Sequence, residues 1–178
     1  MTEPVGDPED LERHALEAFR RREWDQAIQG FRSARDTFLQ HGDNLRAAQA
    51  ANSLSVALLQ AGQAQAALRA VEGTPEIFHA AGDRLHEAEA TGNWAAALEA
   101  VGRVDQAEAR YRQAIDLLSG GSSEAEAHTR RALSGLLLRQ GRAVEASAVM
   151  KRALEIDPRG GWRARWVRKI LGSLSRNR

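Results

Sequence analysis

Cysteine is absent from the 178-residue chain, which removes disulfide staples, thiolate zinc sites and thiol nucleophiles from consideration while saying little about compartment. Also missing is any run of about 18 apolar residues of the kind that crosses a bilayer as a helix. The start of the chain, Met1 to Glu12, is acidic and lacks the basic and apolar regions of a secretion signal, so a cytoplasmic location is expected. Catalytic and cofactor motifs are equally scarce. There is no G-x-x-x-x-G-K-[ST] phosphate loop, no dinucleotide fingerprint, no G-x-S-x-G elbow and no H-E-x-x-H. The five histidines form no ligand set: His79 and His86 flank one turn, and His86 with Glu89 gives an i,i+3 pair without a third ligand. No catalytic residue, metal or cofactor is therefore expected.

Acidic residues are missing from the end of the chain. From Arg159 onward there are seven basic residues and no acidic one, whereas the preceding 158 residues hold 18 basic against 24 acidic. A net charge of +1 conceals this segregation. Trp162, Trp166, Val167, Ile170, Leu171 and Leu174 fall on one helical stripe, with Arg163, Arg165, Arg168 and Lys169 largely elsewhere. The pattern predicts an amphipathic helix over about 162–174. Its apolar stripe suits a cap over the end of the preceding helices. Its basic side offers a less favoured alternative, docking on nucleic acid or an anionic membrane surface.

What is abundant is regularity. Glycines stand at 42, 62, 82, 102, 121, 141 and 161, a beat of twenty residues, once nineteen. Apolar and Ala-rich stretches lie between them, so the chain reads as helix, tight turn, helix, repeated along an axis. Gly fits such turns because the left-handed conformation that commonly ends a helix carries no Cβ penalty there. Two series alternate. His41-Gly42-Asp43 and Ala81-Gly82-Asp83 pair a terminal Gly with an Asp suited to capping the next helix, while Gly62, Gly102 and Gly141 are followed after five residues by alanine. Arg22 stands where the first unit would carry its Gly.

Alignment on the inner turn yields columns: Ala27, Ala67, Ala107 and Ala146; Phe31, Val71, Tyr111 and Met150; Ala34, Thr74, Ala114 and Ala153. Before the turn, Ala15, Ser55, Ala95 and Ser134 align, as do Ala18, Leu58, Leu98 and Leu137. Small residues let two helix backbones approach, and large neighbours fill the space beside them. Helices are expected at about 8–21, 24–40, 43–60, 63–80, 83–100, 104–118, 123–139 and 143–156. Pro75 predicts a kink or break in the fourth of these, with Thr74 capping its second piece.

These columns resemble the tetratricopeptide repeat family, best at Leu98, Gly102, Ala107, Tyr111 and Ala114. The period of 39 to 40 residues is longer than the family's usual 34, so the chain looks like an extended variant. The resemblance implies an all-α, right-handed α-solenoid of four helix-turn-helix repeats, at about 8–41, 43–81, 83–120 and 122–158, in one domain over 1–178 with the C-terminal helix as cap. It also implies that the first helix of each repeat lines a concave groove. Carried over residue by residue, that lining is Glu12, Arg13, Leu16, Gln49, Asn52, Ser53, Val56, Asn93, Ala96, His128, Arg131 and Gly135. Asn52, Asn93 and Arg131 stand out, since an amide can meet both groups of a peptide unit and a guanidinium can grip a carboxylate. The family's clamp for chaperone tails is not reproduced: Asn93 fits one position, but Val56 and Ala132 replace the Asn and Arg of two others. The resemblance thus implies a non-enzymatic scaffold for a protein or peptide partner, with a homo-oligomer as an alternative. Heavy use of alanine and arginine points to a bacterial source.

Overall fold

The computed structural model describes residues 7–120 and 123–157, all of whose regular structure is helical. The helices are α1 (Pro8–Arg20), α2 (Trp24–Gln40), α3 (Asn44–Gln60), α4 (Ala64–Val71), α5 (Thr74–Ala80), α6 (Arg84–Ala100), α7 (Val104–Leu118), α8 (Ser123–Arg139) and α9 (Ala143–Ile156). The amphipathic helix expected over 162–174 lies outside the described residues. Successive helices pack as hairpins, α1 on α2, α3 on α4, α6 on α7 and α8 on α9, and the hairpins nest side by side. This is an α-solenoid.

Local chemistry starts and stops each helix. The Asp7 carboxylate accepts from the Glu9 N–H at 3.1 Å, with Pro8 in the first turn where its missing N–H costs nothing. Asp43 and Asp83 cap α3 and α6, accepting from the N–H of Arg46 at 2.9 Å and of His86 at 3.1 Å. The inner turns share one geometry: at the second, the Gly62 N–H donates to Leu59 O at 3.0 Å and the Gln63 N–H to Leu58 O at 2.8 Å. The first inner turn makes the same pair of bonds from Arg22 and Glu23, with Arg22 at φ 61°. A side chain in that conformation costs roughly 1–2 kcal/mol that glycine avoids. Arg22→Gly is therefore expected to stabilise the protein by about 1 kcal/mol, once the extra freedom of glycine in the unfolded chain is subtracted. Thermal denaturation checks this; an unchanged or lowered Tm would contradict it.

The fourth helix is broken, as Pro75 requires, but the capping differs from expectation. Gly73, at φ 82°, occupies the N-cap of α5, and Thr74 is already helical, its hydroxyl donating back to Val71 O at 2.8 Å. The hydroxyl thus satisfies a carbonyl at the end of α4 rather than an N–H at the start of α5. A left-handed glycine turns the chain sharply enough to keep Val71, Thr74 and Phe78 all buried.

The aligned columns form the interior. Ala27, Ala67, Ala107 and Ala146 are at most 1% exposed, and Ala15, Ser55, Ala95 and Ser134 likewise. Where Ser replaces Ala in the second of these columns, its hydroxyl is used: Ser55 donates to Ala67 O at 2.9 Å and Ser134 to Ala146 O at 2.8 Å. A buried hydroxyl without a partner would be costly, and here the close approach of the two helices supplies one. At Gly30 the helices come so close that an added Cβ would lie within 2.7 Å of the Ala15 Cβ. Leu58, Leu98 and Leu137 fill the space between hairpins, each contributing roughly 1.5–3 kcal/mol by burial. Met150 alone among its column is only half-buried, on the last described helix.

Ion pairs tie alternate helices together. Arg46 on α3 reaches Glu12 on α1 at 3.2 Å, Arg139 on α8 reaches Glu99 on α6, and Arg142 at the start of α9 reaches Glu108 on α7 at 2.5 Å. Hydrogen bonds from Arg142, and then from Arg112, hold Glu108 below the usual carboxylate range. Pairs that remain in contact with solvent add little stability each, so the apolar columns carry the fold.

Candidate functional site: a cleft between the first helices

Three helices, α3, α6 and α8, present equivalent faces in succession. Gln49, Asn52 and Ser53 share one face of α3 and are all half-buried. Across the boundary between hairpins, Asn93 Nδ2 on α6 donates to Asn52 Oδ1 at 2.9 Å. Two amides predicted separately for the groove are thereby joined. That single bond leaves the Asn52 amide nitrogen as a donor and the Asn93 oxygen as an acceptor, the two kinds of group that a peptide unit complements.

Next to Asn93 lies a cleft of about 470 Å³ between α6 and α8, lined by Glu89, Gly92, Asn93 and Ala96 on one side and Glu124, Ala125, His128, Thr129 and Ala132 on the other. Tyr111 of α7 closes its floor. The ring is 4% exposed, and its hydroxyl donates to Glu99 Oε2 at 3.0 Å. Burial, and then the charge and the hydrogen bond of Glu99, push the Tyr111 phenol well above its ordinary value. Glu89, Glu124 and His128 are exposed, so the cleft has an acidic, open mouth over a buried phenol.

The other expected residues are distributed as follows. Arg131 lies half-buried on α8 with its Nη2 on Asp157 Oδ2 at 2.5 Å and on Asp157 O at 3.3 Å. Its guanidinium holds the end of α9 rather than lining the cleft. Arg13 is exposed on α1 and pairs with Asp10 one turn earlier at 2.6 Å. Arg163, Arg165, Arg168 and Lys169 lie outside the described residues. Sequence reasoning did not single out Glu89, Glu124 or Tyr111 as cleft residues. The register itself held the signal for Glu89, which falls one repeat after Gln49 and one before His128. Among the described residues, no cluster of three or more His, Cys, Asp or Glu side chains could hold a metal ion, and no helix is long and apolar enough to cross a membrane.

Stacked helix hairpins with alanine at their crossing points define a helical-repeat protein. Residues 12–75 and 86–159 each match a family model described as tetratricopeptide repeat. These two stretches span most of the chain, which belongs to the tetratricopeptide repeat family. No curated protein sequence matches it. Solved structures share the fold at low identity. The apo form of RapI superposes with a TM-score of 0.79 at 11% identity, covering 89% of this chain and 58% of that one. Aspartyl phosphate phosphatase F from Bacillus subtilis gives 0.77 at 11% identity, covering 91% and 43%. The Rap conjugation gene regulator of the plasmid pLS20, in complex with the Phr* peptide, gives 0.71 at 17% identity, covering 82% and 41%. The chain thus spans about half the length of these proteins.

Proposed function

We propose that the protein is a non-enzymatic, cytoplasmic scaffold that binds an extended peptide or protein segment along α3, α6 and α8. The observation that carries this reading is the Asn52–Asn93 pair, which bridges two repeats beside the 470 Å³ cleft. A tied amide pair is preorganised: its rotamers are set before the partner arrives, so less entropy is lost on binding. Its free donor and acceptor address a main-chain amide, and Gln49, Ser53 and His128 extend the polar track on either side. Glu89 and Glu124 at the cleft mouth favour a partner with a basic side chain. That a structurally similar Rap regulator is in complex with a peptide supports a peptide as the partner here.

Panning a displayed random-peptide library on the full chain tests the proposal. Selected peptides are expected to be enriched in Lys or Arg and to lose roughly 10-fold in affinity on Asn52→Ala or Asn93→Ala, the loss of one or two hydrogen bonds in a partly desolvated site. Both side chains are half-buried, so the helical signal should survive either change. Selected peptides that bind the wild type and both variants equally would reject this groove as the site.

A further inference from the structure

A second cleft, of about 380 Å³, opens on the other side of α6. At 100° per residue, Glu89, Gly92, Asn93 and Ala96 point one way from that helix, and Trp94 and Leu98 point the opposite way. Trp94 and Leu98, with Leu68 of α4, make an apolar floor. The walls are second helices: Arg69 from α4, Arg110 from α7, and Arg103 at the N-cap of α7. The break at Gly73, which ends α4 at Val71, shortens one wall and leaves the cleft open beside Glu72.

Its charge is unbalanced. Three guanidiniums face the single carboxylate of Glu72, and among the described residues no carboxylate pairs with Arg69, Arg103 or Arg110. Elsewhere on this protein arginines are commonly paired, as Arg112, Arg130, Arg139 and Arg142 are. Three like charges against one carboxylate raise the local potential, and a low-dielectric floor strengthens it. Arg110 is held in place: its guanidinium lies 3.9 Å from the Trp94 ring centroid, and its Nη1 donates to Gln113 Oε1 at 3.0 Å. Stacking fixes the plane of the fork, which favours two parallel hydrogen bonds to one anion.

We propose that this cleft between α4 and α7 is a binding site for a small organic anion, a phosphate or carboxylate carried on a flat apolar body, with Arg69, Arg103 and Arg110 on the anion and Leu68, Trp94 and Leu98 against the body. A volume of 380 Å³ lies within the range of sites that enclose small ligands. The site is separate from the first-helix groove, which faces away from it across α6.

Isothermal titration of the full chain with 1-naphthyl phosphate is the test, set against inorganic phosphate and 1-naphthol. The expected result is one site that binds 1-naphthyl phosphate roughly 10-fold or more tightly than either fragment, with affinity falling as salt rises. Arg69→Gln and Arg103→Gln should each weaken it by roughly 10-fold, the loss of a charge-assisted contact. Both residues are exposed, so unfolding is not expected; circular dichroism verifies this. Arg69→Lys and Arg103→Lys, which keep the charge but not the planar fork, should give intermediate affinities. Arg32→Gln, on exposed α2 surface, controls for net charge and should change nothing. Absence of binding, equal affinity for inorganic phosphate, or equal weakening by Arg32→Gln would each overturn the proposal.

Discussion

Phe78→Ala is expected to destabilise the protein by about 3–5 kcal/mol, the range for deleting a fully buried aromatic ring. Phe78 is 0% exposed although it sits on α5, a helix of only 7 residues. Its ring packs against Ala48 of α3 and Ala90 of α6 and stacks on His86 at 5.4 Å between centroids. The side chain therefore joins the second hairpin to the third. In a solenoid each repeat is stabilised mainly by its neighbours, so the loss should concentrate at this boundary and broaden the unfolding transition. A fall in Tm on the order of 10 °C follows. Ile77→Ala, one residue earlier and 38% exposed, should stay within about 0.5 kcal/mol of wild type. Similar effects from the two changes would show that α5 is not docked as described.

Tyr111 gives the second large effect, and it depends on pH. Its phenol is held above the ordinary value of 10.0 by burial first, then by the charge and hydrogen bond of Glu99. Above that pH the unfolded chain releases the tyrosine proton while the folded protein keeps it. The folded state then binds more protons than the unfolded one, so stability is intact below pH 10 and falls as pH rises, by about 1.4 kcal/mol per unit until the folded phenol ionises. The background is unusually clean. Tyr111 is the only tyrosine, and the only lysines are Lys151 and Lys169. Tyr111→Phe should cost about 1.5–3 kcal/mol at neutral pH, through the lost bond to the Glu99 carboxylate, and should abolish most of the alkaline slope. Denaturation at pH 8, 10 and 11 measures the slope, and tyrosinate absorbance follows the proton directly. An equal slope in both proteins would contradict the assignment.

The fold was legible because its determinants are local and periodic. A glycine about every twenty residues and an alanine five residues after the inner turn are both visible without coordinates; Gly42, Gly62, Gly82, Gly102 and Gly141 take the left-handed conformation, and Ala67 is buried. The break near Pro75 was legible too, since proline excludes a continuous helix. Which residue took the cap was not, because Gly73 and Thr74 both suit a helix start; Gly73 takes it, at φ 82°. The site was legible only as a face. Gln49, Asn52, Ser53, Asn93 and His128 are what the resemblance to the family implies for that face, but the bond between Asn52 and Asn93 crosses from one repeat to the next with an offset of 41 residues. An offset of one residue from the repeat depends on how the helices cross, which no spacing within a single helix encodes. Arg131 illustrates the same limit: its partner Asp157 sits 26 residues away at the end of α9.

The absence of cysteine makes the central claim open to direct measurement. Ser53→Cys on α3 and His128→Cys on α8 each place one thiol along the proposed groove, and Gln106→Cys places one on the second-helix side. Alkylation rates of the three variants, with and without a peptide selected on the wild-type chain, report where that peptide lies. Binding is predicted to slow the first two reactions by roughly 10-fold or more and to leave the third unchanged, the protection expected when a bound segment covers the thiol for most of the time. Protection at Gln106→Cys with none at Ser53→Cys and His128→Cys would place the partner on the opposite face and contradict the account.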